Sequence, residues 1–151
     1  MGKLFLAISL ILLDQASKIA IIKKLHQSES IPVVANIFHL TLVYNSGSAF
    51  GLFRNQNWIL IYITVFAIIF ILYLLVRRPK FRFAKYLTLW QYSLLFILCG
   101  ATGNLIDRLK FGYIVDFLDF RIWPIFNFAD ILITTGVLLL LFVFFKKGAF
   151  K

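Results

Sequence analysis

The stretch WILIYITVFAIIFILYLLV, residues 58–76, runs for 19 residues without a charge. A helix of roughly 20 apolar residues crosses the hydrocarbon core of a bilayer, so this segment reads as a membrane span. Outward from it, residues 126–145 form a second such run, broken only by Asn127, Asp130, Thr134, Thr135 and Gly136. Residues 4–22 read as a first span despite Asp14 and Lys18, and residues 86–109 as another, polar at its far end through Asn104, Asp107 and Arg108. The expected fold is an all-α membrane protein. It has four transmembrane helices in one domain covering residues 1–151, with long loops at 23–57 and 110–125. Composition agrees, with 62% hydrophobic residues and 18 Phe among them and a mean hydropathy of +0.92. Soluble domains sit nearer half apolar.

Lys3 ahead of an apolar run resembles a secretory leader. No small-x-small cleavage site follows, however, and Asp14 and Lys18 interrupt the place for one, so the segment is expected to be retained. Charge then orients the bundle. Lys3, the link carrying Arg77, Arg78, Lys80, Arg82 and Lys85, and the tail carrying Lys146, Lys147 and Lys151 hold nine basic residues and no acid. The opposite side mixes Lys23, Lys24, Arg54, Arg108, Lys110 and Arg121 with Glu29, Asp107, Asp116, Asp119 and Asp130. The positive-inside rule places both termini in the cytoplasm and the two long loops outside. A net charge of +10 gathered around apolar spans suits anionic lipid and argues against nucleic acid.

In the first outer loop, residues 36–44 (NIFHLTLVY) are rich in β-branched and aromatic residues, and Asn45-Ser46-Gly47-Ser48 follows as a turn. A small extended platform on the membrane is expected there. Gly47 and Gly51 bracket Phe50, a bend suited to presenting an aromatic ring as a lid. The second outer loop is read as a short loop or helix, with Trp123 and Pro124 marking re-entry into the last span. Asp119 here and Glu29 in the first outer loop read as ordinary outer-side acids.

Several polar residues inside or beside spans need a reason. An ionised Asp at mid-bilayer costs about 2.5–3.5 kcal/mol on insertion scales, so Asp14 must be paired, protonated or turned to protein. Lys18, one turn on, makes an ion pair that either fixes packing or walls a site. Gly100, Gly103, Asn104, Asp107 and Arg108 share one helical face, where small residues permit close helix approach. Arg108 reads equally as a local charge or as an anchor for an anionic or carbonyl group. Asn127 with Asp130 three residues later fits an N-cap, yet an acid one turn inside a span also fits a functional site. Asp116 is either a solvated loop acid or, given its apolar neighbours, one held at the bilayer surface.

Other chemistries fall away. His26 and His39 lack ligand spacing, no HExxH occurs, and Cys99 is the lone cysteine, so zinc catalysis is not expected. Ser17-Lys18 are adjacent, no GxSxG is present, and the glycines follow no nucleotide-binding spacing. Carboxylates at a membrane face remain. A small proton-coupled transporter would keep such carboxylates within a bundle, whereas a non-enzymatic assembly factor would have no need of them as a site.

Five blocks then resemble bacterial lipoprotein signal peptidase (signal peptidase II). They are Asp14-Gln15-Ala16-Ser17-Lys18, Tyr44-Asn45-Ser46-Gly47-Ser48-Ala49-Phe50-Gly51, Gly103-Asn104-Leu105-Ile106-Asp107-Arg108, Val115-Asp116-Phe117 and Phe126-Asn127-Phe128-Ala129-Asp130. The resemblance implies an aspartic peptidase of the bacterial inner membrane, active at the extracytoplasmic face on diacylglyceryl-modified prolipoproteins, which it cuts before the lipidated cysteine. It implies Asp116 and Asp130 as the catalytic pair, without metal or cofactor. Asn45, Phe50, Asn104, Arg108 and Asn127 would hold substrate or orient the pair, and Asp14, Lys18 and Asp107 would support them. Sensitivity to globomycin-like cyclic peptides is also implied. Spacing alone cannot bring Asp116 to Asp130; a reversal around Trp123-Pro124 would permit it.

Overall fold

A computed structural model describes residues 1–47, 56–77, 79–81 and 83–146. Its elements run α1 (Gly2–Lys24), β1 (Ser30–Val34), β2 (Phe38–Asn45), α2 (Asn57–Arg77), α3 (Ala84–Phe111), β3 (Ile114–Asp119) and α4 (Phe128–Phe145). All four helices are long and apolar enough to cross a bilayer, and each coincides with a hydrophobic run in the sequence. On α1, α2 and α4 many large side chains point outward. On α2, Tyr62 and Phe66 are 69% and 72% exposed, an arrangement that lipid covers and water would penalise.

Helix α3 is the hub on which α1, α2 and α4 pack. The α3–α4 seam is closest because small residues line it: a Cβ on Gly100 would lie 2.3 Å from the Ala129 carbonyl oxygen. Without a hydrophobic drive between helices in lipid, such close approach supplies the packing. At one end Ile71, Tyr86, Trp90, Leu94 and Val143 join α2, α3 and α4. At the other, Leu42, Val115 and Phe117 of the sheet rest on Ile21 and Leu25. Gly112, at φ 81°, ends α3 in the left-handed conformation and donates its N–H to the Arg108 carbonyl oxygen. This turn sends the chain straight into β3.

The expected platform is a three-stranded antiparallel sheet in the order β1-β2-β3. It is larger than residues 36–44 indicate. β1 adds an exposed edge that tolerates Pro32. The segment read as a loop or short helix instead holds β3, which places Asp116 opposite Val43 and Asp119 opposite His39. Asp119, read from sequence as an ordinary outer-side acid, is built into the sheet. It is 4% exposed, accepts the Thr41 hydroxyl at 2.8 Å and pairs with Arg121 at 3.1 Å. Burial pushes its pKa up, but the Arg121 N–H, the Thr41 hydroxyl and the Arg121 guanidinium outweigh that and hold it low. Phe50 and the bend around it lie outside the described residues.

Candidate active site

The N-terminus of α4 organises the site. Asn127 is its N-cap, with side-chain Oδ1 accepting the Asp130 N–H at 3.0 Å. Asp130 Oδ2 accepts the Asn127 N–H at 3.1 Å, completing a reciprocal capping box. Capping uses only the oxygen of the Asn127 amide. Its nitrogen is left to donate to Asp116 Oδ1 at 2.6 Å and Asn104 Oδ1 at 3.2 Å. The N-cap expected at Asn127 is thus formed by a fully buried side chain that also bonds Asp116.

Strand β3 brings Asp116 to this cap. Its second oxygen accepts from Asn45 Nδ2 at 2.9 Å, across the β2–β3 pairing. Asp130 Oδ1 accepts from Asn104 Nδ2 of α3 at 2.9 Å. Both acids line one cavity of about 590 Å³ with Asn45, Gly47, Asn104, Arg108 and the turn from Trp123 to Phe126. Burial first, and the Asp130 charge second, push the Asp116 pKa up to about 6; the Asn45 and Asn127 amides pull it part of the way back. Arg108 Nη2 donates to the Gly47 carbonyl oxygen at 3.3 Å, and the Gly47 N–H donates to Asn45 Oδ1 at 3.0 Å. Arg108 thereby ties the turn after β2 to the cavity wall.

Beneath this layer Lys18, 2% exposed, reaches Asp107 Oδ2 at 2.8 Å and Asp14 Oδ2 at 3.0 Å. It also donates to Asn104 Oδ1 at 3.0 Å. The other Asp14 oxygen accepts the Ala129 N–H at 2.9 Å, satisfying a free donor in the first turn of α4. Asp107 Oδ2 also accepts the Val115 N–H at 3.1 Å and so pins the start of β3. No void separates α1 from α3 here: a Cβ on Gly103 would lie 2.4 Å from Asp14 Oδ2.

Nine of the ten sequence-nominated residues thus join one network, and Phe50 is the one outside the described residues. Gln15 is an addition. Its amide nitrogen donates to Asp107 Oδ1 at 3.0 Å, lies 3.1 Å from Asp14 Oδ2, and reaches the Gly103 carbonyl oxygen at 3.2 Å. A polar amide inside a span was the available signal for it. Among the described residues, no group of three or more His, Cys, Asp or Glu is placed to hold a metal ion.

Residues 6–146 match the family model described as signal peptidase (SPase) II. The chain belongs to the signal peptidase II family. It is accordingly a peptide hydrolase and a multi-pass membrane protein, and the transporter and assembly-factor readings fall away. The lipoprotein signal peptidase of Moorella thermoacetica is 47% identical over 141 residues, covering 91% of this chain and 88% of its own. That of Clostridioides difficile is 42% identical over 148 residues, covering 96% of each chain. A solved structure described as a bacterial membrane enzyme superposes on this peptidase with a TM-score of 0.85 at 28% identity. It covers 99% of this chain and 94% of its own.

Proposed function

We propose that this peptidase removes the signal peptide from diacylglyceryl-modified prolipoproteins, cutting before the lipidated cysteine, with Asp116 and Asp130 acting as a water-activating pair. The observation that carries the reading is their convergence. Two acids from β3 and α4 share Asn127 as a partner and face one cavity at the polar end of the bundle. Asp116, Asp130 and Arg108 line that cavity, and Asp14, Asp107 and Lys18 lie in the layer beneath it. Lys18 already bridges Asp14 and Asp107. The surplus negative charge favours one proton shared between Asp116 and Asp130.

The ionised member takes a proton from water, and the resulting hydroxyl adds to the scissile carbonyl carbon. The protonated member gives its proton to the carbonyl oxygen. Collapse of the tetrahedral adduct breaks the C–N bond as a proton passes to the leaving nitrogen. The products are the signal peptide carboxylate and the ammonium group of the lipidated cysteine, which takes the new carboxyl's proton, with the pair returned to one proton. Arg108 and Asn45 hold the peptide backbone beside the pair. Asp130 also lines an apolar cavity of about 530 Å³ with Phe120, Trp123, Phe126, Ile131 and Thr134, which suits the acyl chains. Both termini lie in the cytoplasm and the site faces outward at the inner membrane, the arrangement that the basic flanks favour. Globomycin-like cyclic peptides would compete for the same cavity.

The test uses purified protein in detergent and a lipidated propeptide. Asp116→Asn and Asp130→Asn each abolish cleavage, and the double variant is scarcely worse than either, because the pair acts as a unit. Glu29→Gln, an exposed acid whose carboxylate accepts the His26 N–H, retains activity. Substantial cleavage by either Asn variant refutes the assignment.

A further inference from the structure

The end of the bundle opposite the sheet carries a cavity of its own. Helices α2 and α4 both pack on α3 but scarcely on each other, which leaves a groove between them. Its floor is Trp90 of α3, 3% exposed. Its walls are Tyr73 and Leu74 of α2 and Leu140 and Phe144 of α4, and Arg77 stands at the mouth. The volume is about 590 Å³, within the ~300–1,000 Å³ range of pockets that hold small ligands. The lining is aliphatic and aromatic apart from that one guanidinium.

Charge complementarity identifies the occupant. Arg77 closes α2 and sits 5.5 Å over the Tyr73 ring, so its guanidinium is held at the apolar rim while its donors stay open to an anion. Lys85 lies 5.2 Å over the Tyr86 ring at the start of α3, on the same side. The link between α2 and α3 adds Arg78, Lys80 and Arg82, and no acid accompanies them. An apolar slot that opens beside a span, with fixed positive charge at its membrane-surface end, matches a phospholipid that carries a net negative headgroup. We propose that this groove binds one acyl chain of an anionic phospholipid, with its phosphate on Arg77. The site is separate from the peptidase cavity, which lies at the other end of α3.

Trp90 provides the readout. The other two tryptophans, Trp58 and Trp123, are at the sheet end and each is 64% exposed, so Trp58→Phe with Trp123→Phe leaves Trp90 as the only indole. The full chain carrying these changes is reconstituted in vesicles of phosphatidylcholine. Phosphatidylglycerol or phosphatidylcholine brominated on the acyl chain is then titrated in, and Trp90 emission is followed. Quenching by brominated phosphatidylglycerol is expected to reach half-maximum at about a fivefold lower mole fraction, the effect of one favourable basic contact at a membrane surface. Arg77→Gln, at an exposed helix end, is expected to bring the two lipids to the same midpoint. Equal midpoints in the parent protein mean ordinary boundary lipid and overturn the proposal. So does an undiminished phosphatidylglycerol preference in Arg77→Gln, or the absence of quenching by either lipid.

Discussion

Asn45→Ala isolates one contact to the proposed catalytic pair. Asn45 donates to Asp116 Oδ2 at 2.9 Å and to no oxygen of Asp130, and it takes no part in the cap of α4. Its amide stabilises the Asp116 carboxylate, so removing it favours the protonated acid. Hydrogen bonds to charged groups are worth about 1.5–3 kcal/mol. Asn45 is partly exposed and water replaces some of that, which leaves about 1.4 kcal/mol, or ~1 pKa unit. From about 6 in the parent protein, the Asp116 pKa then moves to ~7. The assay is cleavage of a lipidated propeptide from pH 4 to 9, with kcat/KM fitted to a bell. The acid limb belongs to the coupled pair, and it should move up by ~1 unit. Asn45 also lines the substrate cavity, so the height of the bell falls too, but loss of a substrate contact lowers the curve without displacing its limb. An acid limb that stays in place, or moves down, refutes the coupling between Asn45 and the proton on the pair.

Asp116→Asn should alter the pH dependence of stability. The folded pKa of about 6 lies above the ordinary 3.8, so the parent protein loses about 3 kcal/mol as pH rises from below 4 to above 6. The Asn variant lacks this decline, and parallel denaturation midpoints for the two proteins at pH 4 and pH 8 would contradict it. Lys18→Met strands Asp14 and Asp107, both at most 1% exposed, and should cost about 3–5 kcal/mol, read as loss of folded protein in detergent extracts. Gly103→Ala crowds Asp14 Oδ2, the oxygen that meets Lys18, because the added carbon would lie 2.4 Å from it. Activity should fall with destabilisation of about 1–3 kcal/mol, and an active, equally stable variant would show the seam to be loose. Arg108→Lys keeps the charge but loses the planar fork, so kcat/KM should drop at least tenfold with the thermal midpoint nearly unchanged. A cysteine at Ser28 should label with an impermeant thiol reagent in intact cells and one at Lys80 should not, native Cys99 being buried; the reverse pattern overturns the orientation.

The four spans were legible because lipid imposes a simple rule on length and polarity, and runs such as residues 58–76 obey it without exception. The polar face of α3 was legible for the complementary reason: Asn104, Asp107 and Arg108 are expensive in hydrocarbon unless something answers them. β3 was not legible. Ile114-Val115-Asp116-Phe117-Leu118-Asp119 is short, its two acids are poor strand formers, and it is covered on both faces, which erases the alternation that marks a half-buried strand. The burial of Asp119 was hidden with it, since Thr41 lies 78 positions away in the chain. The contact of Asp116 with Asn127 likewise depends on the turn from β3 into α4, a tertiary fact that spacing does not encode. At Gln15 the residue was visible but its partners on α3 were not.

Asp14 of the first span completes the capping of the last one, through the Ala129 N–H. The chain emerges from synthesis in the opposite order to this dependency. Until α4 has inserted, Asp14 and Lys18 have no helix terminus to close, and Asp116 has no Asn127 to meet. With the proposed catalytic pair unassembled, a truncated product or a bundle missing one span would be both unstable and inert as a protease. On the proposed assignment, hydrolytic competence arrives only with the final segment, so the order of insertion itself acts as a safeguard in a membrane crowded with other polypeptides.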